Sequence, residues 1–273
     1  MMQSDQKTAD AFAASWNNLP TGSIYTVDQF EDWLAPVSEG DVRNRAVLEL
    51  GCGNGSLLVH IARWKPAYLE GVDLGDSVRS ASFNLSGQEF KNWKVTKADL
   101  TEYTSDGFDL VYSIGVLHHL KDPKKGLDAV VRNVKSGGRF HCWVYAREGN
   151  AVIIYLVDPI RRIASHLPWW INKFLVATPL VIPYYFYAKL LNRFRDLRIL
   201  KKLPLYDYSL WIAKREFAFF RHVAFDQLVT PQTAYIDRKT VETWLHGDDR
   251  IDQSSTYIIM RNGNSWKFGG RVR

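Results

Sequence analysis

The chain has 273 residues, 46% of them hydrophobic and 14% aromatic, and carries 35 Lys and Arg against 29 Asp and Glu for a formal net charge of +6. That length supports one large core with a sizeable cap. Two cysteines, Cys52 and Cys142, exclude a disulfide framework, and a polar N-terminus with no basic segment leading into an apolar one argues against a cleaved signal; the expectation is a cytoplasmic protein with two small buried thiols.

Residues 1–45 precede the first strand. Asp5 to Asn18 read as a helix with Phe12 and Trp16 on one face at i, i+4 spacing, and Pro20 to Ser23 as a turn. A second helix is expected from Thr26, with Phe30, Trp33 and Leu34 turned inward.

Ala46 to Gly55 reads Ala-Val-Leu-Glu-Leu-Gly-Cys-Gly-Asn-Gly, an apolar run with an acid, then glycines, then helix-compatible residues from Ser56. This is a buried parallel strand turning sharply into a helix. Glycines permit positive φ and let a ligand approach the main chain, while the following helix directs unpaired N–H groups at the space above the turn. A small anionic or hydroxyl-rich cofactor is expected there. The spacing of Gly51, Gly53 and Gly55 is tighter than the G-x-G-x-x-G of dinucleotide sites, which disfavours that reading.

From 46 to 146 strands and helices alternate, which specifies a parallel sheet with helices on both faces. The expected strands are Ala46 to Leu50, Ala67 to Val72, Trp93 to Lys97, Phe108 to Ser113 and Gly138 to Tyr145. Ligands bind beyond the carboxyl ends of such strands, and Glu49, Asp73, Asp99 and Ser113 fall at or just after those ends. Asp122 with Pro123 starts a helix cleanly. Near the end of the chain, Arg250 to Met260 and Ser265 to Val272 read as strands joined by a hairpin at Asn262-Gly263.

Glu49 before the compressed glycine turn, with a second acid at Asp73 closing Leu69-Glu-Gly-Val-Asp, resembles the class I S-adenosylmethionine-dependent methyltransferases. The resemblance is specific over 46–146 and 241–273. It implies an α/β fold, a Rossmann-like seven-stranded, mostly parallel sheet with an antiparallel last strand, plus a helical cap. It implies three parts: N-terminal helices over the cofactor site at 1–45, a cofactor-binding core at 46–146 and 241–273, and a helical acceptor-binding insert at 147–240. By the same resemblance Glu49, Gly51, Cys52, Gly53 and Asn54 hold the methionine end, and Asp73 with Leu74 holds the ribose. Asp99 takes the adenine amino group with Ala98 or Leu100 against the ring, and Ser113, Ile114, Gly115 and His118 wall the methyl group. Trp16 either packs on the sheet or closes over the cofactor, as an N-terminal aromatic does in relatives with a similar Phe-x-x-x-Trp stretch.

Leu117-His118-His119-Leu120 recurs in that family beside the sulfonium. Adjacent histidines are poorly spaced for one metal, and a base role for His118 or His119 stands beside a structural one. Where base-amine methylating enzymes carry Asn- or Asp-Pro-Pro-aromatic this chain has Ser113-Ile-Gly-Val, which disfavours base-amine methylation, and no acid follows Ser113 directly, as a metal-assisted catechol-type site would need, so metal-independent chemistry is expected. In the insert, His222 to Pro231 and Tyr235 resemble the acceptor-side stretch of a small-molecule subgroup, which makes Tyr145, Asp226 and Tyr235 acceptor-side candidates.

The positive charge belongs to this insert. Residues 151–240 hold 14 Lys and Arg against 6 Asp and Glu, a balance of +8 that leaves about −2 elsewhere. Phe174 to Ala188 is 15 residues without a charge, shorter than a bilayer crossing of about 20 and interrupted by Pro179 and Pro183, so no transmembrane span is expected. The aromatics Trp169, Trp170 and Phe174 are either cap core, with Arg193, Arg195, Arg198, Lys201 and Lys202 as its solvated face, or the lining of an apolar tunnel with a basic mouth. The expected function is methyl transfer from S-adenosylmethionine to the oxygen or carbon of a small or lipid-like acceptor, amphiphilic or anionic in character. S-adenosylhomocysteine is released and the membrane is contacted peripherally. An RNA methyltransferase and a non-catalytic cofactor-binding regulator are the alternatives.

Overall fold

The computed structural model describes residues 5–11 and 25–273. Residues 5–11 are helical (α1), and the continuation to Asn18, with Phe12 and Trp16, lies outside the described residues. Helix α2, Val27–Leu34, begins at a reciprocal cap in which the Thr26 hydroxyl accepts from the Gln29 amide at 3.3 Å while Gln29 Oε1 accepts from the Thr26 amide at 3.1 Å. Its inner face buries Phe30, Trp33 and Leu34, as the spacing predicts.

The sheet is built from β1 (Ala46–Leu50), β2 (Tyr68–Asp73), β3 (Trp93–Lys97), β4 (Phe108–Ile114), β5 (Val134–Tyr145), β6 (Ile251–Arg261) and β7 (Ser265–Val272), in the order β3-β2-β1-β4-β5-β7-β6. Strands β1 to β5 run parallel, and β7 enters between β5 and β6 antiparallel to both. The Asn262-Gly263 turn carries φ of 48° and 66°, the geometry of a tight hairpin matched to strand twist. Strand β5 starts four residues before its expected Gly138. Its pairing jumps from Phe108↔Val134 to Leu110↔Arg139 across Lys135-Ser-Gly-Gly, and a bulge rich in glycine reads as loop in sequence.

Helices α3 (Ser56–Arg63) and α4 (Val78–Ser86) join α2 on one face of the sheet, packing against Val47, Leu110 and Tyr112. Helix α5 (Pro123–Arg132) packs on the other face with Leu48, Leu50 and Val111, its start capped by Asp122, whose Oδ1 accepts from the Lys124 amide at 3.0 Å. Alternate residues of β1 thus serve opposite cores, which leaves the strand ends to the site.

After β5 the chain leaves the sheet for α6 (Asp158–Ala164), α7 (Trp169–Ile171), α8 (Thr178–Arg193), α9 (Tyr206–Ile212) and α10 (Phe217–Val229), before α11 (Arg238–His246) returns to pack on β6 and joins the core shared with α5. The cap helices enclose two small cores, one around Val181, Ala188 and Phe220, the other around Ala164, Ala177 and Phe225. Segments α7 and α8 are joined by a π-helical turn, Asn172–Ala177, into one helix from Trp169 to Arg193 that also runs through Pro183. A proline ring clashes with the carbonyl four residues earlier and supplies no N–H; Pro179 meets Leu175 inside that wider turn, and the Thr178 hydroxyl caps the Lys173 carbonyl at 2.9 Å. The same device, a π turn at Ile153–Val157, precedes Pro159.

Candidate active site

The carboxyl ends of β1 and β2 converge on the glycine turn. Gly51 has φ +85°, and a Cβ there would lie 2.4 Å from Val116 Cγ2; Gly55 has φ +75°, with Ala81 Cα 2.9 Å from where its Cβ would stand. Neither position accepts another residue without strain. The turn is held from β2: Asp73 Oδ2 accepts from the Gly53 amide at 2.8 Å, while Oδ1 accepts from the Gly75 amide at 2.8 Å and the Ser77 hydroxyl at 3.2 Å. Burial raises the Asp73 carboxyl above its ordinary range, and these donors oppose the rise.

Glu49 is buried at the end of β1 and accepts a hydrogen bond from the Tyr112 hydroxyl at 3.0 Å. Desolvation pushes it up to about 8, Tyr112 works against this, and the nearby Asp73 charge adds to it. No Lys or Arg pairs with it among the described residues. Asp99, after β3, uses Oδ1 to accept from both the amide and the hydroxyl of Thr101, each at 2.8 Å. Asn54 Oδ1 accepts from the Ser56 amide at 3.1 Å and hydroxyl at 2.6 Å, fixing the first turn of α3.

One cavity of about 590 Å³ joins these groups. Glu49, Gly51, Cys52, Gly53, Asn54, Asp73, Leu74, Asp99, Leu100, Ile114 and Gly115 all line it. Three expected residues do not. Ser113 is buried with its hydroxyl donating to the Leu50 carbonyl at 2.8 Å, Ala98 packs against the core and bonds through its amide to Asp73, and His118 is enclosed behind the wall. Trp16 lies outside the described residues.

The cavity continues under the cap past His119, Tyr145, Asp226 and Tyr235. The strand-like segment that follows α10 makes this possible: Ala234 bonds to the His118 carbonyl at 2.7 Å and Ile236 to the Tyr145 carbonyl at 3.0 Å, which stacks the Tyr235 ring on Tyr145 at 6.3 Å. His118 sits between the rings of His119 at 4.1 Å and Tyr145 at 4.0 Å, with both ring nitrogens unpartnered among the described residues. Burial drives its imidazole well below the usual range, and His119 is lowered to about 4 despite the Gln232 carbonyl 3.1 Å from Nδ1. Gln227 Nε2 donates to the Tyr145 hydroxyl at 2.6 Å.

Several lining residues were not singled out from the sequence. His222 stands one turn from Asp226 on α10, Nε2 to Oδ2 3.2 Å, and the His-x-x-x-Asp spacing was a legible signal for it. Tyr25, Gln29 and Trp33 line the wall from the N-terminal side. Arg261 bonds Asp32 Oδ2 through Nε at 2.8 Å and lies 4.9 Å from the Trp211 ring, joining α2, the β6–β7 hairpin and α9 across distances no local pattern encodes.

A buried carboxyl with no Lys or Arg partner among the described residues, a turn whose Gly51 and Gly55 leave no room for a Cβ and two further acids along one sheet edge fit S-adenosylmethionine, whose amino-acid end carries an ammonium beside its carboxylate and sulfonium and whose ribose presents hydroxyls. Residues 48–140 match a family model described as a methyltransferase domain. The strand order and the antiparallel β7 around that segment are those of the S-adenosylmethionine-dependent methyltransferase fold, so residues 48–140 form a methyltransferase domain within it.

Among solved structures, magnesium protoporphyrin IX methyltransferase from Synechocystis PCC 6803 with bound S-adenosylmethionine has a TM-score of 0.55 at 12% identity, covering 100% of this chain and 99% of that one, a likeness of fold. Among sequences, the ubiquinone biosynthesis O-methyltransferase of Aeromonas salmonicida is 28% identical over 54% of this chain and 64% of its own length. An uncharacterised methyltransferase of Mycobacterium tuberculosis is 29% identical over 46% of this chain and 59% of its own. The chain thus spans less than two thirds of the length of these two sequence relatives.

Proposed function

We propose that the protein transfers a methyl group from S-adenosylmethionine to a hydroxyl oxygen of a small, amphiphilic acceptor, without a metal ion. The observation that carries this reading is the single cavity: it runs from Glu49, Asp73 and Asp99 into a hollow lined by Leu180, Val181, Tyr184 and Phe220 of the cap. An acceptor seated in that hollow has its polar end toward Tyr145, Tyr235, His119 and the His222–Asp226 pair. The O-methyltransferase among the relatives favours oxygen over carbon as the atom methylated.

When bound, S-adenosylmethionine supplies the activated methyl group. The chain's part is to orient the acceptor, exclude water and take up the hydroxyl proton. We assign the proton to His222, because Asp226 beside Nε2 holds the ring and stabilises the imidazolium formed, as a carboxylate does in other histidine-carboxylate pairs. His118 and His119 are disfavoured for that role because burial weakens the hold of each imidazole on a proton. Gln227 fixes the Tyr145 hydroxyl at the mouth of the hollow.

The test is a mass-spectrometric assay with S-adenosylmethionine and a panel of hydroxylated aromatic and isoprenoid compounds. One methylated product is expected, formed equally well with a chelator present, and His222→Ala should lower kcat about a hundredfold or more while leaving cofactor affinity unchanged. Cofactor binding with no turnover on any hydroxylated compound would sink the acceptor reading.

A further inference from the structure

The helix from Trp169 to Arg193 is 25 residues long, its most apolar stretch has a mean hydropathy of 1.4, and only 22% of that stretch is buried. Trp170, Phe174, Ile182, Phe186 and Leu190 recur every four or eight residues and stay 51%, 47%, 45%, 67% and 59% exposed. A stripe of this size is far more than the scattered apolar residues of an ordinary surface. It runs directly into Arg193, Arg195, Arg198, Lys201 and Lys202, interleaved with exposed Phe194, Leu197 and Ile199 and opposed by one acid, Asp196.

We propose that this outer face of the cap seats in the interface of an anionic lipid bilayer, with the helix lying in the membrane plane. An apolar stripe flanked by a cationic cluster matches acyl chains beneath anionic headgroups, and aromatics such as Trp169 and Trp170 favour that depth. The charge is distributed accordingly, since residues 151–240 hold 14 Lys and Arg against 6 Asp and Glu while the remainder is slightly acidic. By length and composition the helix is long and apolar enough to cross a bilayer, unlike the shorter stretch expected from sequence, but in this proposal it lies flat. Its other side is committed to protein, with Val181, Ala188 and Leu191 buried and the Lys189 ammonium donating to the Ala213 carbonyl at 2.7 Å.

The same helix forms the roof of the cavity. Leu180, Val181, Pro183 and Tyr184 line it, and Leu156, on the adjoining segment, lines it while remaining 58% exposed. Docking therefore places the hollow next to the acyl layer, so an apolar acceptor enters without crossing water; this last step rests on the acceptor reading above, whereas docking itself does not.

Vesicle sedimentation of the full chain tests it. With phosphatidylcholine vesicles containing phosphatidylglycerol the protein should pellet, and binding should fall steeply with added salt and on removal of phosphatidylglycerol. The variants Phe174→Ser with Phe186→Ser, and Arg195→Glu with Arg198→Glu, should each reduce partitioning about tenfold while S-adenosylmethionine affinity by calorimetry stays unchanged. Unchanged calorimetry shows that the core is folded, so loss of vesicle binding is read at the cap alone. Four outcomes overturn the proposal: no pelleting with anionic vesicles, self-association that the serine variant abolishes, preferential binding of RNA, or a helix recovered only in detergent and shielded from protease on both sides. Vesicle binding without methylation of any amphiphile would retain the docking face and remove the acceptor reading.

Discussion

Glu49 and Asp73 are two buried acids on neighbouring strands with different work. Asp73 is spent on the turn, through amides of Gly53 and Gly75, before any ligand arrives. Asp73→Ala should therefore lose more than ribose contacts: each amide left unpaired costs about 1–3 kcal/mol, visible in urea denaturation, and S-adenosylmethionine binding should vanish. Asp73→Asn keeps one acceptor and should recover part of the stability but little of the affinity. Glu49 keeps its proton to about 8 because burial strips its carboxylate of water, with the Asp73 charge adding to the rise and the Tyr112 hydroxyl opposing it. A cationic ligand favours the ionised form, so binding should release a proton below pH 8, and affinity should tighten as pH rises to that value. Calorimetry in buffers of different ionisation heat measures the released proton, and in Glu49→Gln both the release and the pH dependence should disappear. Because the folded carboxyl holds its proton up to about 8 and the free one only to 4.5, Glu49 itself withdraws stability from the cofactor-free protein as pH rises through that window.

At the scale of elements, the cavity exists because three distant pieces are tied together. The β6–β7 hairpin carries Arg261, α2 carries Asp32 and α9 carries Trp211; the guanidinium bonds the carboxylate and covers the Trp211 and Trp143 rings at 4.9 and 5.7 Å. Arg261→Met keeps bulk but removes the ion pair. Since Asp32 is partly exposed and regains water, the expected loss is modest, about 1–2 kcal/mol in denaturant midpoint analysis. Acceptor KM should suffer more than cofactor affinity, because Arg261 stands on the cap side of the cavity. Equal losses in both would show that Arg261 braces the whole site rather than the cap. The π turns before Pro159 and Pro179 belong to this scale too: they let a helix pass through proline and so set the length of the cap's outer face.

At the scale of the molecule, two histidines are held in buried places, His141 within the sheet and His119 at the cavity wall. His141 lies between the Trp33 carbonyl at 2.9 Å and the Tyr257 hydroxyl at 2.7 Å, and burial lowers it to about 3, while His119 is lowered to about 4. These imidazoles refuse a proton that the unfolded chain accepts near 6.5, so stability is lost as pH falls from 6.5 toward 3 or 4. Thermal melts between those values should show the decline, and His141→Gln should flatten it. A melt independent of pH in that range would mean the rings are not sealed as described. With Glu49 acting in the opposite direction, the cofactor-free protein should be most stable in mildly acidic to neutral solution.

How much of this was legible beforehand depends on whether the cause is local. The glycine turn, the acids at successive strand ends, the Asn262-Gly263 hairpin and the inward face of α2 follow from φ preferences and from periods of 2 and 3.6, which neighbouring residues decide among themselves. The bulge in β5 and the helix running through Pro179 were misread from local rules, because pairing with β4 and packing in the cap override the glycine and proline preferences. The sequence by itself determined the sheet's strands and the chemistry along its carboxyl edge. Only the tertiary structure decided which groups face the cavity: Ser113 turned to a carbonyl, His118 sealed behind Tyr145, and His222, Tyr25 and Arg261 brought in. Those choices depend on contacts between residues up to 229 positions apart in sequence, as for Asp32 and Arg261, and on the burial they create. Neither is a property of any short stretch of chain.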